Sequence, residues 1–465
     1  MDKTKKKLTR KFKIYSALFL KEKQDFVWNL IATLFKVLSS AILIPFLLVR
    51  LPSEEVAVYT VFITISSLIY ILDFGFNPSF TRNIAYTFSG VDSLSSEGII
   101  EGPFDNEINY SLLSSLINAM KWFYKRMAIS LVVVMLTLGV YYFNFILSKY
   151  PYGTAKMWFG FFVFLSTMSL NVYTVWYECL LVGSGHIKKT KQFFVIGQIA
   201  YLFFSVALVL YMNSIVGVFI ANFTSVLIVR YLSKRFINSE IVPVIGFNDQ
   251  KGTLQFLKEY IFPNAKKIGL TSLGGALITK ASFFIGSIYL SLDQLSSYGI
   301  TYQVLGIVSI ISMVYLNTYT PELSKLRVKK DIIRIKRIVY ESITFLSVTY
   351  LFSIVAIIFI GNALLEKIGS ETLLLSPNFY LVLIGLNFFV EAIILFAGNV
   401  LLTKNFVPFY KSSIISGIGV VLLLLSLIHF GIDPLLTLVT APLIVNLSYQ
   451  GWKWIWEVFK DLKFD

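Results

Sequence analysis

The feature that most constrains this chain is the recurrence of apolar stretches of roughly twenty residues along most of its length, the span of a bilayer. The first reads LIATLFKVLSSAILIPFLL, residues 30–48. Such runs repeat until 56% of the 465 residues are hydrophobic and only 14% charged, with a mean hydropathy of +0.73. A membrane β-barrel would show short alternating segments instead. The sequence therefore predicts an all-α polytopic membrane protein with twelve transmembrane helices. They fall near 26–49, 57–78, 127–147, 157–180, 193–212, 214–232, 267–289, 297–318, 339–360, 378–402, 412–430 and 435–451. The first run is too long for a cleavable signal, and no small-residue cleavage site follows it, so it is expected to stay as an anchor.

The net charge of +15 is a topology signal. Of 41 Lys and Arg residues, 35 fall on one side if the N-terminus is cytoplasmic. Only Arg50, Lys149, Lys156 and Lys367 fall on the other, and Lys36 and Lys280 lie inside spans. The positive-inside bias places both termini in the cytoplasm. The basic side can also attract anionic lipid headgroups, which accounts for the charge without nucleic acid. Single Cys179 excludes an internal disulfide, and His186 and His429 are read as structural. No metal-ligand cluster, phosphate loop or nucleophile motif is present, so no catalytic or metal-binding residue is assigned.

The division expected is a basic cytoplasmic N-terminus (1–25), a first half (26–232), a cytoplasmic connecting segment (233–266), a second half (267–451) and a cytoplasmic tail (452–465). Residues 89–109 are too polar for a domain of their own. SLLSSLINAMKWFYKRM, which follows, reads as an interfacial amphipathic helix. The tail places Trp452, Trp454 and Trp456 beside lysines, as an interface anchor does.

The halves repeat. Lys36 and Lys280 are offset by 244 residues, Pro78 and Pro321 by 243, and Arg82 and Lys325 by 243. An offset of six spans keeps direction, so these are parallel repeats.

Lys36 sits about ten residues from either end of its span, or ~15 Å, too deep to snorkel. Asn29, Thr33, Lys36 and Ser40 form one polar stripe on one helix face. Span 7 repeats it with Ser272, Ala276, Lys280 and Ser287, and span 10 carries Asn387, Glu391 and Gly398. Two readings stand side by side. Glu391 pairs with one lysine and fixes helix packing, or the spans enclose a wet cavity with a cationic lining. Such a cavity suits an anionic substrate such as phosphate. Glu391 is then a candidate carrier of a coupling proton; no cofactor is implied, with coupling to H+ or another ion left as an open alternative. At the end of span 2, ILDFGFNPSFTRNIAY brings together Asp73, Gly75, Pro78 and Arg82. Asp73 and Arg82 either pair to close a kinked helix end or form a cytoplasmic gate, with Glu178 at the end of span 4 facing cytoplasmic cations.

DFGFNPSFTR after span 2, YGITYQVLGIVSIISMVYLNTYTPELSKL in span 8 and CLLVGSGHIKKTKQ after span 4 resemble, in order and placement, the polysaccharide transporter family, the Wzx-type O-antigen repeat-unit flippases. These belong to the multidrug/oligosaccharidyl-lipid/polysaccharide exporter superfamily. The resemblance covers essentially the whole chain. It implies two six-helix lobes in a V that rock between inward- and outward-open states in the bacterial plasma (inner) membrane. It implies an undecaprenyl-pyrophosphate-linked oligosaccharide substrate, for lipopolysaccharide or another surface polymer, with Lys36 and Lys280 meeting pyrophosphate or acidic sugars. Membrane lipids and a glycan polymerase or chain-length protein would be its partners. The competing readings are a multidrug exporter of the same superfamily, a lipid II flippase, and a membrane glycan polymerase or ligase. The last would need a large outer loop, and residues 361–377 are too few for one.

Overall fold

The computed structural model describes residues 2–71, 73–88, 108–151, 153–241, 257–329, 331–403 and 408–462, with the backbone alone for 2–23 and a few other helical residues. No strand occurs among the described residues. Ten of their helices are long and apolar enough to cross a bilayer. The two further expected spans are α2 (Ser53–Ile71) and the Pro434–Leu462 segment. The latter is interrupted by a π turn at Asn446–Gln450. The protein is a multi-pass helical membrane protein.

Helix α1 (Asp2–Arg50) carries span 1. After α2 the chain turns at Asp73–Gly75, where Phe74 and Gly75 have φ of +49° and +76°, and resumes as α3 (Phe76–Phe88). Span 3 is α4 (Tyr110–Val134), a π turn and α5 (Val140–Leu147). Span 4 is α6 (Ala155–Tyr173) and α7 (Val175–Gly183). Spans 5 and 6 are α8 (Ile187–Met212) and α9 (Val216–Phe236). The second half runs through α10 (Phe262–Tyr289), α11 (Leu292–Ser312), α12 (Val314–Lys329), α13 (Ile332–Ala356), α14 (Asn362–Lys367), α15 (Asn378–Leu402), α16 (Tyr410–His429), α17 (Pro434–Val445) and α18 (Gly451–Leu462).

The repeat seen in sequence is also a repeat of packing. In each half the first span packs on the fifth, the fifth on the sixth and the fourth on the sixth. Spans 3 and 9 each carry a five-residue π turn, Met135–Gly139 and Ile357–Gly361. Without a hydrophobic drive between helices in lipid, close approach needs small residues. A Cβ on Gly274 of α10 would lie 2.4 Å from the Ser413 backbone of α16, and one on Gly197 of α8 would lie 2.4 Å from Val229 of α9. Glycine thus sets both first-half and second-half pairings.

The buried core divides unevenly. At the end poor in Lys and Arg, one continuous cluster crosses both halves, from Leu43, Phe62 and Phe143 to Leu292, Tyr298 and Leu381. At the basic end it splits into two clusters, one around Phe80, Leu116 and Tyr124, the other around Leu316, Ile338 and Phe396. The halves are therefore joined at one end and parted at the other. At the joined end Lys149 donates to the carbonyls of Ser287, Ile288 and Leu290, at 3.0, 2.9 and 3.0 Å. Ser53 donates to Asp293 beside it. One seam stays closed toward the basic end as well, where α3 and α10 meet. A Cβ on Gly269 would lie 2.3 Å from the Phe74 ring.

Two local expectations are revised. Residues 111–127 do not turn their apolar stripe to lipid. Leu113, Leu116, Ile117 and Tyr124 are buried under α3 and α7, so the apolar stripe faces protein and α4 runs unbroken into span 3. In the tail, Trp452 and Trp456 are exposed, but Trp454 is buried against Phe409. The polar stretch from 89 lies outside the described residues up to 107, as do 242–256 of the connecting segment.

Candidate functional site: a cleft and two polar cavities

Helix α1 has two exposed faces. Val27, Leu34, Leu38 and Ile42 form an apolar one, as lipid contact requires. Lys36 and Asn29 are exposed as well. At 3.6 residues per turn Lys36 points roughly 160° away from Leu34 and Leu38. An ammonium at that depth on the face opposite the apolar one fits a wet surface and not lipid. The Lys36 ammonium makes no hydrogen bond or ion pair among the described residues. The rest of the stripe is less available. Thr33 and Ser40 donate back to the carbonyls of Asn29 and Lys36, at 2.9 and 3.2 Å, and Ser272 does the same to Ile268 at 3.1 Å. Such back-bonding satisfies a hydroxyl within its own helix.

Lys280 has a different setting. Its Nζ lies 4.8 Å from the centroid of the Tyr302 ring, a cation–π distance. Tyr302 is held by a 2.6 Å hydrogen bond to the Thr279 carbonyl. Lys280 and Glu391 attract each other, with no direct hydrogen bond between them among the described residues. Glu391 instead accepts from Asn387 Nδ2 at 2.9 Å, and Asn387 Oδ1 accepts from Asn446 Nδ2 at 3.1 Å. Asn387 thus points into the second half's interior, not to the cleft.

That interior holds a cavity of about 310 Å³ between α10, α15, α16 and the broken last span, lined among others by Ser272, Glu391, Asn446, Gln450 and Trp454. The first half holds a more polar cavity of about 450 Å³, lined by Asp73, Glu178, Asn171, Gln198, Asn222 and Arg230. Arg230 Nη2 donates to Asn171 Oδ1 at 3.1 Å.

The expected Asp73–Arg82 pair does not form. Asp73 Oδ2 accepts from Asn77 N at 2.8 Å, capping α3, and its Oδ1 accepts from Tyr124 at 2.7 Å. Arg82 Nε is buried with no partner among the described residues. Glu178 faces the 450 Å³ cavity and makes no ion pair among the described residues. The Asp73 carboxylate is engaged instead by the amide of the turn that starts α3 and by Tyr124. Asn446, Gln450 and Tyr302 in the second half, and Arg230 and Asn171 in the first, were not singled out from sequence. Their signal was a polar side chain in an apolar span, which Arg230 hid by being counted with the basic end.

No family model and no curated relative matches the sequence. Solved structures do match in fold. A multidrug resistance MATE family transporter of the MOP superfamily, in an inward-facing conformation, superposes with a TM-score of 0.68 at 12% identity, covering 93% of this chain and 95% of that one. The lipid II flippase MurJ, in an inward closed conformation, gives 0.61 at 12% identity over 93% and 87%. A MOP superfamily transporter from Pyrococcus furiosus, described by the reverse polarity of its binding pocket, gives 0.56 at 12% identity over 95% and 96%. The twelve-span repeat, the joined and parted ends and these superpositions together give the chain the two-lobe fold of the MOP-superfamily transporters.

Proposed function

We propose that this protein flips an oligosaccharide linked to a polyprenyl pyrophosphate from the cytoplasmic to the outer leaflet of a bacterial plasma membrane, by alternating access. The observation that carries the reading is Lys36, an exposed ammonium at mid-span on the face of α1 opposite its apolar one. A pyrophosphate head cannot cross hydrocarbon, where each unsatisfied polar group costs several kcal/mol. A wet cleft with a cation at half depth removes that barrier while the lipid tail stays in the bilayer. In this reading the basic end is cytoplasmic and the cleft opens toward the side where the substrate is assembled. Lys36 takes the phosphate, and Lys280, steadied by Tyr302 and Glu391, sets the field of the opposite wall. A glycan polymerase would use the product.

The test is a leaflet assay. Deletion of the protein in its host should trap lipid-linked units on the cytoplasmic face and abolish surface glycan. Wild type should restore both, and Lys36→Ala should not. Collapse of the proton or sodium gradient in the same assay identifies any coupling ion. The second reading, export of cationic drugs, has support in the MATE neighbour, described as a multidrug resistance transporter. It makes the opposite demand, since removing a cleft cation would then leave efflux of a cationic dye unchanged or raise it.

A further inference from the structure

The 450 Å³ cavity of the first half carries polar groups that its packing does not use. Gln198 of α8 and Asn222 of α9 line it, each within an apolar span. Neither side-chain amide hydrogen-bonds to any described residue, and neither is sealed from water, since both side chains stay partly exposed. A carboxamide within a span needs water or a ligand, because leaving its donors and acceptor unmet is costly.

Arg230 adds a charge that the fold does not require. It donates to Asn171, across 59 residues from the sixth span of its half to the fourth. The second half makes the same link over the same 59 residues, from Asn446 to Asn387. A neutral amide is enough there to tie the two spans. In the first half a guanidinium does so, oriented by Asn171 and lining the cavity.

The lining also sets the direction of access. Thr190 and Ser233 lie near the basic ends of α8 and α9, and Asn222 lies ~9 Å from the far end of α9. Glu178 is the one exposed residue among the described lining residues, and it sits on α7, the basic-end segment of span 4. The cavity therefore runs inward from a mouth at the basic end.

The mixture of groups selects the ligand. A cation would meet the Arg230 guanidinium, and an anion would meet Glu178 and Asp73. Gln198 and Asn222 each offer donors and an acceptor, Arg230 donors alone, and the carboxylates acceptors alone. A molecule with several hydroxyls, each both donor and acceptor, answers these groups separately. Phe194, Leu181 and Val226 give an apolar wall for the C–H face of such a ring. The volume falls within the roughly 300–1,000 Å³ of small-ligand sites.

We propose that this first-half cavity binds one uncharged sugar residue, with Gln198, Asn222, Arg230 and Glu178 as its hydrogen-bonding groups. The inference rests on the flippase reading and gives the glycan an attachment of its own, apart from the phosphate contact at Lys36.

The test is saturation-transfer NMR on the purified full-length protein in nanodiscs. The probes are glucose, galactose and N-acetylglucosamine, with tetramethylammonium as the cationic control. Wild type should transfer magnetisation to at least one sugar and not to tetramethylammonium. Gln198→Leu and Asn222→Leu keep side-chain bulk and remove the open amides, and each should weaken the sugar signal about fivefold. Gly275→Leu, on the wall of the second-half cavity and with nothing within 4 Å of its Cβ, should leave that signal unchanged. Three results would overturn the site: no transfer to any sugar in wild type, transfer to tetramethylammonium in place of the sugars, or a sugar signal that survives intact in both leucine variants of the first half. The leaflet assay separates the two claims. Flipping without sugar binding removes the site and leaves the function. Sugar binding without flipping does the reverse.

Discussion

Lys36 and Lys280 stand at equivalent points of two helices related by an internal repeat, yet their surroundings differ. The Lys36 side chain is exposed on the face of α1 opposite Leu34 and Leu38, with no side-chain partner among the described residues. Lys280 is half-buried beside the Tyr302 ring and within the field of Glu391. Of the two ammonium groups, Lys280 is the one with a carboxylate acting on it among the described residues. A charge deep in a membrane protein must face water, a partner or a substrate. Lys280 has its partner. Lys36 has only the cleft, which makes it the better candidate for a substrate contact.

The largest expected effect breaks this comparison directly. Lys36→Ala should lower the initial flipping rate by about tenfold or more, the loss of a charge-assisted contact to phosphate, and leave thermal stability unchanged. Lys280→Ala should instead lower stability by about 1–3 kcal/mol, because it leaves Glu391 in its cavity without a cation. Adding Glu391→Gln to Lys280→Ala should recover most of that loss, and a double-mutant cycle on thermal unfolding measures it. Equal effects of the two lysine substitutions on both readouts would mean that the lobes are equivalent after all.

A second comparison is between the two ends of the bundle. At the joined end Lys149 lies outside the spans, and burial lowers its pKa from the ordinary lysine value. It donates to three carbonyls at the end of α10, where the last turn of a helix leaves acceptors unsatisfied. Lys149→Met should raise the population with this end open by about tenfold. The measurement is a distance distribution between spin labels at Tyr211→Cys and Phe430→Cys, in a Cys179→Ser background. Lys149→Arg should keep part of the closed population. The smallest effect lies at the seam between α3 and α10. Gly269→Ala places a methyl against Phe74 and should cost about 1–2 kcal/mol in thermal unfolding. The same change at Gly306, where a Cβ meets nothing within 4 Å, should be near neutral.

Much of the fold was legible because a bilayer imposes one length and one polarity on every span. The repeat was legible in Lys36, Lys280, Pro78 and Pro321, and it reappears as repeated helix pairing. The turn at Asp73–Gly75 was legible from its glycine. Other features depended on neighbours that a single sequence does not reveal. The stripe at 111–127 reads the same whether it meets lipid or protein, and only the presence of α3 and α7 decides. Thr33, Ser40 and Ser272 look like cavity lining until their hydroxyls are seen bonded to their own helices. Asn446 meets Asn387, the partner of Glu391, only because the last span packs on α15, a pairing no single sequence shows.

The single core at the joined end has a thermodynamic consequence for resting membranes. Opening that end means cutting a continuous apolar cluster and wetting both halves of it. Each 100 Å² of apolar surface so exposed costs about 2.5 kcal/mol. A few such units hold the population opened there below about one molecule in a thousand while nothing is bound. In the proposed transport cycle, idle molecules would therefore be poor leaks, and the free energy of cargo binding, not thermal chance, would set how often the barrier between the two faces of the membrane is breached.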